Sequence, residues 1–183
     1  HWLQLRQVST IYVKSMIKKT TKMHQYAGYG PRDFNKYDCL KLSLLFYLWL
    51  CLLLRGYIIW IASVSNFQDS SAILNAVYDV PVQLYSDLIS GIWALFLLLV
   101  VSLRNPESPN WVRFVWRNIV PFIFLASAFS VVGTVVVFFL YELKNEILLY
   151  GEVIVTIVLT IILLKNRRFT INRSEFPESV PEK

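Results

Sequence analysis

Residues 42–64 read LSLLFYLWLCLLLRGYIIWIASV, and this stretch decides the fold. It contains one charged residue, Arg55, among 23 positions. A helix rises ~1.5 Å per residue, so the stretch covers about 34 Å and is long enough to cross a hydrocarbon core of ~30 Å. In lipid every backbone N–H and C=O must be paired within the segment, which favours a helix. The stretch is therefore predicted to be the first transmembrane helix.

Three further apolar stretches follow, at residues 84–103, 119–141 and 147–164. Hydrophobic residues make up 56% of the chain, whereas a soluble domain is ~45–50% apolar, so the composition is typical of a membrane protein. The sequence predicts an all-α integral membrane bundle of four transmembrane helices within residues 42–164. A basic N-terminal arm, 1–41, precedes the bundle and a tail, 165–183, follows it.

The distribution of Lys and Arg predicts the orientation of these helices. Segment 1–41, loop 104–118 and the tail from residue 165 carry eight, three and five basic residues. Loop 65–83 carries none, and residues 142–146 carry one. Basic residues stay on the cytoplasmic side of a membrane, so both termini are predicted to be cytoplasmic.

Three ionisable residues lie inside the predicted spans: Arg55, Asp87 and Glu152. Each costs ~2.5–3.5 kcal/mol near the bilayer centre on insertion scales, so such residues are expected to pair with one another. The helix directions place all three in the outer half of the bundle. An Arg55–Glu152 pair fits the offsets, and an Arg55–Asp87 pair is the alternative. The cluster is interpreted either as a structural pair or as part of a proton or ion pathway.

Small residues spaced four apart predict where the helices approach each other, because close contact drives helix association in lipid. In the first span, Gly56 is the best small position. The predicted packing stripes of the second and third spans are Ser86, Ser90 and Ala94, and Ala126, Ser130 and Thr134 with Gly133 beside them.

Two loops carry the signals of short helices. On the outer side, Asp69 or Ser70 is a candidate cap for a helix that ends before Pro81. On the inner side, Asn110 is a candidate cap for a helix that runs through Trp116. Arg113 and Arg117 are four residues apart on that helix and are expected to face lipid head groups. Trp111 and Trp116 are expected to form an inner aromatic belt.

Several kinds of chemistry are not indicated. The two histidines, His1 and His24, both lie in the N-terminal arm, so no His-based metal site or catalytic triad is expected in the bundle. The chain has no phosphate-binding glycine loop, no GxSxG and no CxxC motif. The basic run Lys14–Lys22 is assigned to lipid head groups rather than to nucleic acid. No enzyme activity, cofactor or metal is expected.

The string from Asp33 to Ser63, DFNKYDCLKLSLLFYLWLCLLLRGYIIWIAS, resembles the start of a known family. It is similar to an uncharacterised family of gammaproteobacterial inner-membrane proteins, the YfeZ-like family, whose domain has no known function. Where that family has proline after the arginine, this chain has Gly56, which leaves a helix kink there open. The likeness extends from about Asp33 to Glu178. The residues that carry it are Tyr37, Asp38, Leu40, Lys41, Trp49, Arg55, Tyr78, Asp79, Gly91, Leu103, Arg104, Phe176 and Pro177.

The resemblance implies a multi-pass protein of the bacterial inner membrane and brings no activity with it. Two functional hypotheses follow from the residues. The small-residue stripes favour a non-enzymatic membrane protein that assembles with itself or with a membrane partner. The charged residues at 55, 87 and 152 favour the alternative, a small transporter or channel.

Overall fold

The protein is described by a computed structural model over residues 26–35, 37, 39–66, 70–78, 80–141 and 146–177. The predictions for the basic run Lys14–Lys22 and for residues 142–145 lie outside this part of the chain. The described residues form eight α-helices after a 3-10 turn at Pro31–Asp33: α1 Leu44–Leu53, α2 Arg55–Ser65, α3 Ser70–Val77, α4 Pro81–Ser102, α5 Asn110–Arg117, α6 Ile119–Tyr141, α7 Glu146–Lys165 and α8 Arg167–Ser174.

The helix bounds follow the sequence pattern closely in the second half of the chain. Helix α6 covers the predicted residues 119–141, and α7 extends the predicted 147–164 by one residue at each end. Helix α4 starts three residues before the predicted 84, because Pro81 occupies its first turn, where a missing N–H costs little. The two short loop helices are present as α3 and α5. The cap position of α5 is Pro109 rather than Asn110, which is its first residue.

The structure divides the helix predicted over 42–64 into two. Helices α1 and α2 meet at Leu54 with a bend of 66°. The N–H of Leu54 still donates to the Leu50 carbonyl at 2.9 Å, and the N–H of Ile58 donates to the Leu54 carbonyl at 3.0 Å. The bend lies where α2 docks closely on α4 at Gly56. Hydrophobic periodicity does not report this tertiary contact, so the sequence predicted one continuous helix and left a kink at Gly56 open.

Helices α4 and α6 form the most extensive contact of the bundle, and α7 packs against α6 and α1. Ser127 contacts Thr160 and Thr134 contacts Glu152, so α6 and α7 run antiparallel. The main apolar core lies toward the end of the bundle that carries α5 and α8. Its fully buried large side chains include Phe46, Trp49, Leu97, Val100, Val112, Trp116, Ile119, Ile123, Leu163 and Phe169.

Two of the described helices, α4 and α6, are long and apolar enough to cross a membrane. The bent pair α1–α2 adds a third if it forms one broken span. Large apolar side chains on these helices point outward, for example Ile89 at 62% exposure and Val132 at 59%. An outward apolar surface on long helices is characteristic of a protein that sits in lipid. These features indicate a membrane protein.

The described residues between 26 and 43 pack against α8 and the residue that follows it. The Leu40 N–H donates to the Glu175 carboxylate at 3.0 Å, and the Lys41 carbonyl accepts from Arg168 Nε at 3.0 Å. Arg168 also forms an ion pair with Asp33 at 3.3 Å. The segments before α1 and after α7 therefore lie at the same end of the bundle as α5.

Candidate functional site

The three ionisable residues of the predicted spans meet at one point of the bundle. Arg55 is the first residue of α2, directly after the bend at Leu54. Asp87 lies in the second turn of α4, and Glu152 lies in the second turn of α7. The bend turns Arg55 toward both acidic helices, so a local break in the first apolar stretch brings the cluster together.

Arg55 contacts both acids. Its Nε donates to Asp87 Oδ2 at 2.9 Å and its Nη2 donates to Asp87 Oδ1 at 2.7 Å, which is the two-pronged geometry that a guanidinium and a carboxylate favour. The same Nη2 also donates to Glu152 Oε1. The sequence left the two acids as alternative partners, and the structure pairs the arginine with both.

Each carboxylate receives a second donor that the sequence analysis did not assign to it. The Tyr78 hydroxyl donates to Asp87 Oδ2 at 2.9 Å, and Thr134 Oγ1 donates to Glu152 Oε1 at 2.6 Å. Burial and the adjacent Asp87 carboxylate raise the pKa of Tyr78 above its usual value, so the phenol stays protonated and available as a donor. The only sequence signal for Thr134 was its place in a packing stripe.

The cluster is mostly shielded from solvent, with side-chain exposures of 23% for Arg55, 7% for Asp87 and 16% for Glu152. One guanidinium faces two carboxyl groups, so the group carries one excess negative charge when both acids are ionised. Charges removed from water are stabilised only when they are paired and their remaining hydrogen-bonding capacity is met. The hydroxyls of Tyr78 and Thr134 supply that capacity. The cluster thereby ties together α2, α4, α6, α7 and the residue that follows α3.

Close backbone approach holds the arginine helix against the aspartate helix. A Cβ added at Gly56 would lie 2.8 Å from Asp87 Cβ and 3.2 Å from the Asp87 carbonyl carbon. One turn along, a Cβ at Gly91 would lie 2.9 Å from the Tyr57 ring, whose hydroxyl donates to the Leu88 carbonyl at 2.8 Å. Only residues without a side chain fit at these two positions, which sets the distance between α2 and α4.

The predicted packing stripes lie between α4 and α6. Gly133 faces Ser86, whose Oγ would be 2.8 Å from a Cβ at residue 133. The stripe positions that are buried are Ala94, Ala126, Ser90, Ser130 and Thr134. A second polar contact, which the sequence did not reveal, lies deeper in the core. There Trp49 Nε1 donates to Thr160 Oγ1 at 3.0 Å and to Ser127 Oγ at 3.3 Å.

At the opposite end from the charged cluster, Arg113 and Arg117 are exposed on α5, as a contact with head groups requires. Trp116 does not belong to an exposed aromatic belt, because it is only 1% exposed. Its Nε1 donates to the Glu175 carbonyl at 3.0 Å, and the Arg104 guanidinium stacks 4.3 Å from its ring centre. Folding of the tail back onto α5 buries this tryptophan, which helical periodicity does not predict.

Few side chains in the described part of the chain are placed to bind a metal ion or a small ligand. No group of three or more His, Cys, Asp or Glu side chains there is placed to hold a metal ion. One cavity lies between α4 and α6, and another lies between α5, α8 and the following residues. Neither is lined by Arg55, Asp87 or Glu152. The hydrogen bonds and ion pairs of the cluster join helices of the bundle.

Comparisons with known proteins identify the family of this chain but show no activity. No curated protein and no solved structure matches the chain significantly. One family model does match, over residues 29–174, and its description is "Protein of unknown function (DUF2919)". The match covers α1 to α8 together with the ionic cluster. The chain therefore belongs to the DUF2919 family of proteins of unknown function.

Proposed function

We propose that this protein is a non-enzymatic, multi-pass protein of the bacterial inner membrane that acts by assembling with itself or with a membrane partner. In this proposal it has four spans with both termini in the cytoplasm, and it is one of the gammaproteobacterial, YfeZ-like proteins. The lipid bilayer is its constant partner, and no nucleic acid is involved.

The four-span arrangement has support from helix lengths and charge. Helix α7 has 20 residues and runs antiparallel to α6, and in this proposal it forms the fourth span. The bent pair α1–α2 serves as a broken first span. Helices α5 and α8 carry basic residues, whereas the outer helix α3 has none, in agreement with the rule that basic residues stay inside.

The observation that carries the assembly proposal is a groove between α4 and α6. Its volume is about 350 Å³. Ser86, Ser90 and Gly133 contribute small residues to it. Its other lining residues are large and mostly exposed: Val82, Tyr85, Ile89, Phe129, Val132, Val136 and Val137.

The groove has the chemistry of a helix-docking surface. Helices in lipid associate through close van der Waals contact, which small residues between larger apolar ridges allow. Lipid chains are as apolar as the groove, so a partner is favoured there by shape rather than by hydrophobicity. Val132, at 59% exposure, stands at the rim where a second helix would make contact.

Cysteine cross-linking tests this surface. In a background with Cys39 and Cys51 replaced, Val132→Cys is expected to form a disulfide-linked dimer in oxidised membranes if a second copy fills the groove. A photo-reactive residue at position 132 is expected to give one discrete heavier product if a different membrane protein fills it. Both products are read from denaturing gels.

The matched control is Ile154→Cys on α7, because this residue is also 59% exposed and apolar but lies away from the groove. Equal cross-linking from positions 132 and 154 would indicate random collision in the membrane. No product from position 132 by either chemistry would contradict assembly through this groove.

A second candidate function, a small transporter or channel, is favoured by one specific observation. Two carboxylates share one guanidinium at membrane depth, and this excess negative charge suits a site that takes up a proton or a cation. A guanidinium stays charged, so Glu152 rather than Arg55 would exchange the proton. Transport also requires that water reach Glu152.

Thiol labelling separates the two functions. A Glu152→Cys variant without the native cysteines is treated in intact cells with a membrane-impermeant thiol reagent, and Asn75→Cys on exposed α3 is the positive control. The assembly proposal predicts labelling at position 75 and none at 152, because the cluster is shielded by protein. Labelling at both positions would instead support transport through the cluster.

A further inference from the structure

A cavity lined by basic side chains lies at the end of the bundle that carries α5 and α8. Its volume is about 720 Å³, which lies in the range of ~300–1,000 Å³ typical of small-molecule sites. Three arginines line it: Arg113 and Arg117 from α5, and Arg173 from α8. Arg173 joins the other two only because the tail folds back onto α5, so the sequence alone did not group these residues.

The three arginines of this cavity outnumber the acid beside them. Glu175 also lines the cavity, but its two carboxylate oxygens accept hydrogen bonds from the Tyr26 hydroxyl and the Leu40 N–H. Neither Arg117 nor Arg173 forms an ion pair within the part of the chain that the structure describes. The cavity therefore presents positive charge with unused donors.

One of the three arginines is held in place. Arg113 donates through Nη2 to the Pro106 carbonyl, and its guanidinium lies 5.3 Å from the centre of the Phe176 ring. A guanidinium fixed in this way loses less conformational freedom on binding. The three arginines together offer further N–H donors, and arginine is the preferred side chain for binding phosphate oxygens.

The position of the cavity indicates where such a phosphate group would come from. Helix α5 connects the ends of α4 and α6, the two helices that qualify as membrane spans, so the cavity lies at the level where a membrane surface begins. Two large apolar side chains on α5, Trp111 and Phe114, are exposed beside it. Aromatic side chains at this level contact the region between head groups and acyl chains.

We propose that this cavity is a binding site for a phosphate group, with the head group of an anionic phospholipid as its source. The inference goes beyond the proposed function and does not depend on it, because the cavity lies at the other end of the bundle from the charged cluster and is separate from the α4–α6 groove. In this site Arg113, Arg117 and Arg173 donate hydrogen bonds to the phosphate group, and α5 lies at the level of the membrane surface.

The test uses the full chain purified in a neutral detergent and freed of native lipid. Binding of fluorescent phosphatidylglycerol is measured for the wild type, for Arg117→Gln/Arg173→Gln, and for the control Arg167→Gln, which removes a charge from the same helix outside the cavity. The double variant is expected to bind at least about tenfold more weakly, and the control within about twofold of the wild type, since only the double variant loses charge-assisted contacts to the phosphate group.

Competition with inorganic phosphate distinguishes a lipid head group from a free phosphate as the source of the bound phosphate group. Displacement of the lipid by millimolar inorganic phosphate at constant ionic strength would show that the cavity takes a free phosphate as well. Binding of phosphatidylglycerol without such displacement would show a site specific for the lipid. Both results support the proposal, provided that the double variant loses binding.

Two outcomes would overturn the proposal. One is unchanged phosphatidylglycerol binding in the double variant, and the other is an equal loss in Arg167→Gln, which would indicate a general surface charge effect. All three altered arginines are exposed, so the variants are expected to fold, and melting without lipid checks this. If the double variant melts early, the single change Arg173→Gln at the end of α8 decides the same question.

Discussion

Replacing Arg55 with leucine is expected to lower the free energy of unfolding by ~3–5 kcal/mol, because the change leaves two buried carboxyl groups without their cation. Asp87 loses both prongs of the guanidinium contact, at 2.9 and 2.7 Å, and Glu152 loses the contact from the same Nη2. The hydroxyls of Tyr78 and Thr134 remain but do not carry charge. Unfolding of the purified protein in mixed detergent micelles, followed by circular dichroism, gives the measurement.

The decisive comparison is the triple variant in which Arg55, Asp87 and Glu152 all become leucine. Buried ion pairs are often replaced by apolar side chains without loss, so most of the stability is expected to return. The Tyr78 hydroxyl, left without its acceptor, accounts for a remaining cost of ~1–3 kcal/mol at most, whereas the Thr134 hydroxyl can still donate to the Ser130 carbonyl at 3.0 Å. Among the single changes, Asp87→Asn is expected to cost more than Glu152→Gln, because Asp87 accepts the two-pronged contact and is the less exposed acid.

Two results would contradict the structural role of the cluster. The first is a cost below ~1 kcal/mol for Arg55→Leu, which is the value of a solvated surface pair. The second is a triple variant whose loss equals the sum of the three single losses, since groups that act independently add in this way. The surface change Arg32→Leu, at an exposed residue outside both sites, controls for the general effect of removing a positive charge.

Gly56→Ala is expected to destabilise the protein by ~1–3 kcal/mol, the usual effect of overpacking a tight contact. The added Cβ would lie 2.8 Å from Asp87 Cβ and 3.2 Å from the Asp87 carbonyl carbon, and neither atom is at the free end of a flexible side chain. Helix α4 must therefore shift, and with it the carboxylate that Arg55 binds. The measurement is again the unfolding free energy in mixed micelles.

Alanine substitutions at two other helical glycines serve as controls, because their expected costs are smaller. At Gly133 the new Cβ meets Ser86 Oγ at 2.8 Å, and that hydroxyl can rotate away, so Gly133→Ala is expected to cost less than Gly56→Ala. At Gly151 nothing lies within 4 Å, so Gly151→Ala is expected to be neutral or to gain up to ~1 kcal/mol from helix propensity. An equal loss from all three substitutions would contradict the role given to the α2–α4 contact.

Family membership and membrane character were both predictable, for different reasons. The resemblance rested on local strings such as Tyr37–Asp38 and Trp49, and the family match over residues 29–174 bears out the domain of unknown function. Two helices that can cross a membrane, or three with the bent pair, agree with the apolar stretches. The finer statements, a gammaproteobacterial inner membrane and four spans, stay predictions.

The sequence by itself determined where most of the helices begin and end. Helix α6 occupies the predicted residues 119–141, and α3 and α5 lie in the loops where their signals stood. Helix formation depends on backbone hydrogen bonds between residues four apart and on apolar runs, and both are local properties of the chain. A sequence pattern therefore carries most of this information, although it did not predict the break at Leu54 or the helix α8.

Only the tertiary structure decided which side chains meet. The bend at Leu54, the double pairing of Arg55, the second donors Tyr78 and Thr134, and the addition of Arg173 to the α5 cavity all depend on contacts between helices. Such contacts are set by the rotation, crossing and closest approach of helices that are distant in the chain, and these are fixed by packing rather than by periodicity. The sequence named the charged residues of the cluster, and the packing at Gly56 and Gly91 placed them together.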